Sequence, residues 1–419
     1  MDSLLTHTLS IDNHPICALK EEFRLQYVMA LGELRNYLSC HDRRASIGVE
    51  VWARSIVKNP PPAFYQSTID YQNIKSITTI KRDGLHFFNM RRLFFFDCLY
   101  LTSILNPTLL TSILYFLREH SKGIFSKQVL DGIYYNWESP FPPKIPTELV
   151  IHRNKNVFFN KKPLKKILVV ATMSSGKSTL INAIMGHRVT EVKTTACTRK
   201  LCYLFNKPVP DGIIVKREDG AYFYSDNIET KNKGEFIEAG LHFNSILSDK
   251  RICLIDTPGT NYSGDKSHGE MTRKAIDSND YDGIIFVVNG LQFNTEDESK
   301  LLKYTLNHTH KPIIFVLNQL DFFNPEDDSI QDTMDKLEKS IGNKYEIIPM
   351  SAYYALLLKL NDTKLSKAEI IKKNSLKQLF QLDYYNMARY CKIPSNHRDK
   401  MNELSKTGIL NLEEAISKI

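Results

Sequence analysis

The sequence contains no C-x-x-C pair. Its 7 cysteines are odd in number and scattered, so a zinc ribbon, a dithiol redox centre and a disulfide framework are all excluded as expectations. It also lacks any internal repeat, low-complexity tract or collagen-like glycine period. Strong charge of one sign is missing too: 55 basic against 47 acidic residues leave a formal +8, which permits an anionic partner without demanding one. The opening Met-Asp-Ser-Leu-Leu-Thr-His has neither the basic nor the apolar segment of a secretory leader, and neither end carries a lipidation motif. A cytoplasmic location is therefore expected, with any membrane association indirect.

Long hydrophobic runs are nearly absent. The one charge-free stretch of spanning length, the 20 residues from Cys98 to Leu117, is interrupted by Asn106-Pro107, a helix-start pair. Beyond it, Leu110, Ile113, Leu114 and Leu117 recur at helical spacing, so a buried helix is expected there and not a membrane span.

What is present is a chain of 419 residues, 42% hydrophobic and 24% charged, long enough for two cores. Four prolines between Ser139 and Pro146 predict a linker, which divides a mainly helical domain, 1–145, from a second domain, 146–419. The first part holds both tryptophans, Trp52 and Trp137, and its pattern from Ile16 to Leu38 predicts an amphipathic helix. The basic run Arg153, Lys155, Lys161, Lys162, Lys165 and Lys166 is read as a solvated entry to the next strand rather than an anion site.

After the linker, short apolar runs alternate with amphipathic stretches. Strands are predicted at 167–170, 201–205, 252–255, 283–288, 312–317 and 345–348, with a hairpin from Ile213 to Tyr224 turning at Gly220. That alternation predicts an α/β fold, a mostly parallel sheet with helices on both faces. Thr295 with Glu298 marks one helix start, and Asn324-Pro325 predicts another that ends near Gly342.

The chemistry is concentrated in four ordered segments. Lys166 to Val170 is an apolar strand that runs through Ala171-Thr172-Met173-Ser174-Ser175-Gly176 into Lys177-Ser178-Thr179-Leu180. Strand, loop ending Gly-Lys-Ser and helix are the context of a phosphate-binding P-loop, although Ala171 stands where that motif has its first glycine. Backbone N–H groups from Ser174 to Thr179 would face the phosphates, Lys177 would reach the β- and γ-phosphates, and Ser178 would ligate Mg²⁺. Next, Ile252 to Ile255 delivers Asp256 to a strand end, followed by Thr257-Pro258-Gly259. Asp256 would hold Mg²⁺ through water, and the Gly259 N–H would meet a γ-phosphate. Third, Asn318-Gln319-Leu320-Asp321 resembles the N-K-x-D guanine motif, with Gln319 in place of the lysine. The Asp321 carboxylate can accept from guanine N1–H and the exocyclic amine, a donor pair that adenine lacks. Fourth, Ser351-Ala352 follows the last strand and matches the element whose backbone N–H meets guanine O6.

With these motifs in order, residues 160 to 419 resemble the G domain of P-loop GTPases, and more narrowly the dynamin-like family in its bacterial form. The resemblance rests on 171–186 and on Thr194-Thr195-Ala196. It implies Mg²⁺ as cofactor, GTP as substrate and GDP with phosphate as products. It further implies that Thr195 completes the Mg²⁺ shell, with Thr194 and Thr198 as alternatives, and that Ser174 helps neutralise transition-state charge. Met173 stands where eukaryotic relatives have a catalytic glutamine. The resemblance implies dimerisation, either a homodimer or a hetero-oligomer with a stalk-bearing dynamin-like chain, because the sequence stops at a segment like the last G-domain helix and no C-terminal stalk is expected. Nucleic acid is not an expected partner. Two alternatives remain: an assembly G protein acting on RNA or ribosomes, and a GTP-sensing scaffold with little turnover.

Overall fold

The computed structural model describes residues 2–79, 90–137, 139–189, 201–225, 236–258, 267–293, 295–392 and 402–419. The chain divides into two compact units: Met1–Lys161 with Pro208–Ile214 and Ala221–Asp226, and Lys162–Lys207 with Val215–Gly220 and Asn227–Ile419.

Among its described residues the first unit is mainly helical: α1 (Ser3–Thr6), α2 (Glu21–Ser39), α3 (Ala45–Ile56), α4 (Tyr71–Thr79), α5 (Met90–Leu105), α6 (Leu110–His120), α7 (Ile124–Tyr134) and α8 (Thr147–Lys161). The helix expected from Ile16 begins instead at Glu21, because Pro15–Ala18 closes a separate 3₁₀ turn and Leu19 is extended. Helix α5 is apolar nearly all round, which places it at the centre. Its single acid, Asp97, is fully buried, and one carboxylate oxygen accepts from Tyr27 Oη (2.7 Å) and Trp52 Nε1 (3.0 Å) and lies 2.9 Å from His14 Nε2. A buried carboxylate is tolerable only with such partners. The expected break at Asn106-Pro107 separates α5 from a 3₁₀ turn leading into α6. No helix among the described residues is long and apolar enough to cross a membrane.

The proline-rich segment runs between α7 and α8 without regular structure, and α8 anchors it. Arg153 donates to the carbonyls of Trp137 (3.0 Å) and Ser139 (2.6 Å), and Asn154 donates to that of Pro140 (2.9 Å). Arg153 is thereby buried, while Lys165 and Lys166 further along the basic run pair with Asp282 and Asp280.

The second unit is built on a sheet of β1 (Lys165–Ala171), β2 (Cys202–Asn206), β3 (Ile213–Arg217), β5 (Phe236–Leu241), β6 (Ile252–Asp256), β7 (Gly283–Asn289), β8 (Ile313–Asn318) and β9 (Glu346–Pro349); β4 (Tyr222–Ser225), after the turn at Gly220, falls in the first unit's segment Ala221–Asp226. From β3 the order is β3-β5-β2-β6-β1-β7-β8-β9. Strands β6, β1, β7, β8 and β9 are parallel, whereas β2 runs antiparallel to β6 and parallel to β5. Described helices of this unit are α9 (Lys177–Met185), α10 (Ser267–Asp277), α11 (Glu296–His308), α12 (Ile330–Ile341), α13 (Ala352–Lys359), α14 (Lys367–Leu379), α15 (Asn402–Lys406) and α16 (Ile409–Ser417). Thr295 caps α11, its hydroxyl accepting from the Glu298 N–H at 3.3 Å. The start expected at Asn324-Pro325 is displaced: Asn324 Oδ1 accepts from Glu326 N–H in a local turn, and Ser329 caps α12 instead. In β1, β6, β7 and β8 nearly every residue is buried on both faces, and their carboxyl ends converge at one edge, where α/β sheets bind ligands.

Candidate functional site

Strand β1 leaves the sheet at Ala171 and re-enters regular structure at Lys177. Two residues between them adopt left-handed backbone, Ser174 at φ 63° and Gly176 at φ 84°. At Gly176 glycine is required twice over: by that φ, and because a Cβ would come within 2.5 Å of Asn318 Nδ2. The loop is gripped from the ends of β7 and β8 by three side-chain amides. Asn318 Nδ2 donates to Ser175 O (3.0 Å), Gln319 Nε2 to Ser174 O (2.7 Å) and Asn289 Nδ2 to Ser174 O (3.4 Å). Inside the loop, Ser175 Oγ donates to Thr172 O at 2.8 Å. The Ser174 side chain is exposed, Ser175 is buried, and Ser178 and Thr179 are partly buried at the start of α9.

Lys177 Nζ forms an ion pair with Asp256 Oδ1 at the end of β6, and both side chains are almost wholly buried. Thr257 Oγ1 donates to Val169 O (2.8 Å) and Thr272 Oγ1 to Pro258 O (3.0 Å), which fixes the chain just after Asp256. Ser178 and Asp256 offer hard oxygen donors, a set that suits a hard divalent cation such as Mg²⁺. Thr194, Thr195, Thr198 and Gly259 lie outside the described residues.

On the other side of the loop, Asn318 uses both amide ends: Nδ2 on the Ser175 carbonyl and Oδ1 as acceptor for the Ala352 N–H at 3.0 Å. It therefore ties the P-loop to the Ser351-Ala352 segment. Ser351 is buried; its hydroxyl accepts from the Tyr354 N–H at the start of α13, and its own N–H donates to Thr407 O (3.1 Å). Asp321 is 6% exposed, and its Oδ2 is a buried acceptor with no hydrogen-bond partner. Burial raises its pKa above the ordinary carboxylate value, against smaller opposing effects from the Ser351 hydroxyl and the Lys372 charge. An orphaned buried acceptor costs free energy, and a ligand presenting two adjacent N–H donors, as guanine does, relieves that cost.

This arrangement coincides with the sequence comparisons. Residues 167–320 match the model of the Dynamin family. That segment of the chain is similar to the Dynamin family. Over 217 residues it is 27% identical to "Probable transmembrane GTPase FZO-like, chloroplastic" of Arabidopsis thaliana, covering 50% of this chain and 21% of that protein. Over 196 residues it is 26% identical to GTPase Era of Haemophilus influenzae, covering 46% of this chain and 51% of that protein. The chain thus spans about a fifth of the first relative and about half of the second. Among solved structures it is similar to Era in complex with MgGDPNP and a segment of 16S ribosomal RNA, at TM-score 0.30 and 20% identity, covering 51% of this chain and 56% of that one. It is also similar to an Aquifex aeolicus Era variant bound to GDP and AlF₄⁻, at TM-score 0.30 and 19% identity, covering 52% and 57%.

Of the residues singled out in sequence, Ser174, Ser175, Gly176, Lys177, Asp256, Asn318, Gln319, Ser351 and Ala352 are joined within the second unit by the contacts above, with Asp321 beside Ser351. Asn289 escaped sequence reasoning. Its only signal is a polar residue closing the otherwise apolar β7 run at the carboxyl edge.

Proposed function

We propose that this chain binds GTP with Mg²⁺ at the carboxyl edge of its sheet and hydrolyses it to GDP and phosphate. The observation that carries the reading is the orphaned Asp321 Oδ2 beside a P-loop bound by Asn318 and Gln319. In this reading the loop N–H groups and the α9 N-terminus hold the phosphates, and Lys177 exchanges its carboxylate partner for phosphate oxygens. Ser178, Asp256 and Thr195 hold Mg²⁺, which supplies positive charge against the transferring phosphoryl group. Ser174, exposed at the bend of the loop, and the Gly259 N–H stabilise developing charge, while water attacks phosphorus and GDP leaves. Asp321 reads the guanine edge, and the Ala352 N–H meets the base oxygen once Asn318 yields it.

The family relationship supports two finer elements of the proposal: dimerisation across the nucleotide face, which stimulates turnover, and coupling to membranes through a stalk-bearing partner chain. Turnover per molecule should rise with protein concentration and vanish when Mg²⁺ is chelated; a rate per molecule that stays constant from nanomolar to tens of micromolar protein would sink the dimer. The Era relatives and the +8 charge favour a second reading, in which the domain acts on RNA or ribosomes. Co-sedimentation with anionic liposomes and with ribosomal RNA at two salt concentrations separates the two.

A further inference from the structure

The guanine motif of this chain lacks its lysine: Gln319 occupies that position and spends its amide on the Ser174 carbonyl. A cation is nevertheless present on this side of the site, delivered from a different element. Helix α14, started by a capping box at Ser366 and Glu369, carries Lys372, whose Nζ lies 5.3 Å from the centre of the Phe322 ring. Phe322 directly follows Asp321 and is 55% exposed, so its ring face is open to a ligand on this side. Two other lysines of α14 are satisfied by carboxylates, Lys373 by Asp362 (2.8 Å) and Lys377 by Glu403 (3.1 Å). Lys372 is partly buried and has no carboxylate partner among the described residues. Its charge also acts on Asp321 in the direction that favours the ionised carboxylate.

We propose that Lys372 and Phe322 form a base-side clamp that takes over the role of the missing motif lysine, with Lys372 positioning Asp321 as an ionised acceptor for the guanine edge. This deepens the proposed function and rests on its assignment of Asp321 to guanine. The chemistry is specific. A carboxylate accepts from both N–H donors of guanine, whereas a protonated carboxyl offers one acceptor fewer and an unwanted donor. A cation over an aromatic face gains from the ring's negative surface and is held in place by it. Lys372 is thus a positioning residue that packs on Phe322 and acts on Asp321 through its charge.

The test is equilibrium binding of GTP and of inosine triphosphate, which lacks the exocyclic amine, to the full chain and to Lys372→Met, Lys372→Arg and Phe322→Ala. Wild type should prefer GTP. Lys372→Met should lose roughly 3- to 10-fold in GTP affinity, the range of one partly desolvated cation–π contact, with a smaller loss for the inosine nucleotide, so that the preference narrows. Lys372→Arg should restore both, and Phe322→Ala should resemble Lys372→Met. Unchanged GTP affinity and preference in Lys372→Met overturn the clamp while leaving the GTPase reading intact. Equal losses for both nucleotides also overturn it, since a general structural defect does not distinguish the bases. A wild type that binds ATP as well as GTP overturns the guanine assignment itself.

Discussion

Asn318 is the joint on which the proposed nucleotide site turns, and its removal has a calculable cost. It is 2% exposed, its Nδ2 satisfies the carbonyl of Ser175, and its Oδ1 satisfies the N–H of Ala352, both at 3.0 Å and both on residues that are 1% exposed. Asn318→Ala leaves one buried carbonyl and one buried N–H unpaired. Each of the two orphaned groups costs about 1–3 kcal/mol, so a loss of about 2–6 kcal/mol is expected. At about 2–4 °C per kcal/mol for a domain of this size, the melting transition should fall by roughly 4–24 °C. Asn318→Asp keeps the acceptor for Ala352 but sets a carboxylate oxygen against the Ser175 carbonyl, so it should be no more stable than the alanine variant. Differential scanning calorimetry with and without GDP provides the assay, because the site's own transition is the one that GDP raises. A melting point for Asn318→Ala within a degree of wild type, with GDP affinity unchanged, would refute the reasoning that Asn318 bridges the P-loop and the Ser351-Ala352 segment.

Two further outcomes follow from buried charge. Lys359 and Glu413 form an ion pair with 5% and 0% of their side chains exposed, so Glu413→Ala should cost about 3–5 kcal/mol in urea denaturation, while the double change Lys359→Met with Glu413→Leu should recover most of it; a double variant no better than the single would contradict this. Asp321 has a pKa raised by burial, so its contribution favours the nucleotide-free fold at low pH and is lost as pH rises through that raised value. Guanine binding runs the other way, since it needs the ionised acceptor. The ratio of GDP to inosine diphosphate affinity, from which phosphate titration cancels, should therefore shrink as pH falls toward the raised Asp321 value; a flat ratio would remove Asp321 from base recognition.

The parts of this molecule that were legible in sequence are those set by local pattern. Continuous apolar runs located β1, β6, β7 and β8, because strands buried on both faces have no alternation to obscure them. Strand β5 was not legible: Phe-Ile-Glu-Ala-Gly-Leu interrupts its apolar residues with a charge and a glycine, and pairing with its sheet neighbours β3 and β2 defines it. The displaced start of α12 has a similar origin, since Asn324 can cap a local turn as readily as a helix, and the packing of Ile330 and Met334 decides for Ser329. The site divides the same way. Its motif residues announce themselves by spacing, whereas Lys372 is one lysine among several on a polar helix 51 positions beyond Asp321, and only folding brings it to Phe322.

The central claim is that this site selects and turns over GTP through Lys177. Phosphate release should be measured from GTP and from ATP in Mg²⁺, for wild type and for Lys177→Ala. The account predicts release from GTP well above that from ATP, abolished in the variant. Equal rates for the two nucleotides, or a rate that Lys177→Ala leaves unchanged, would contradict it.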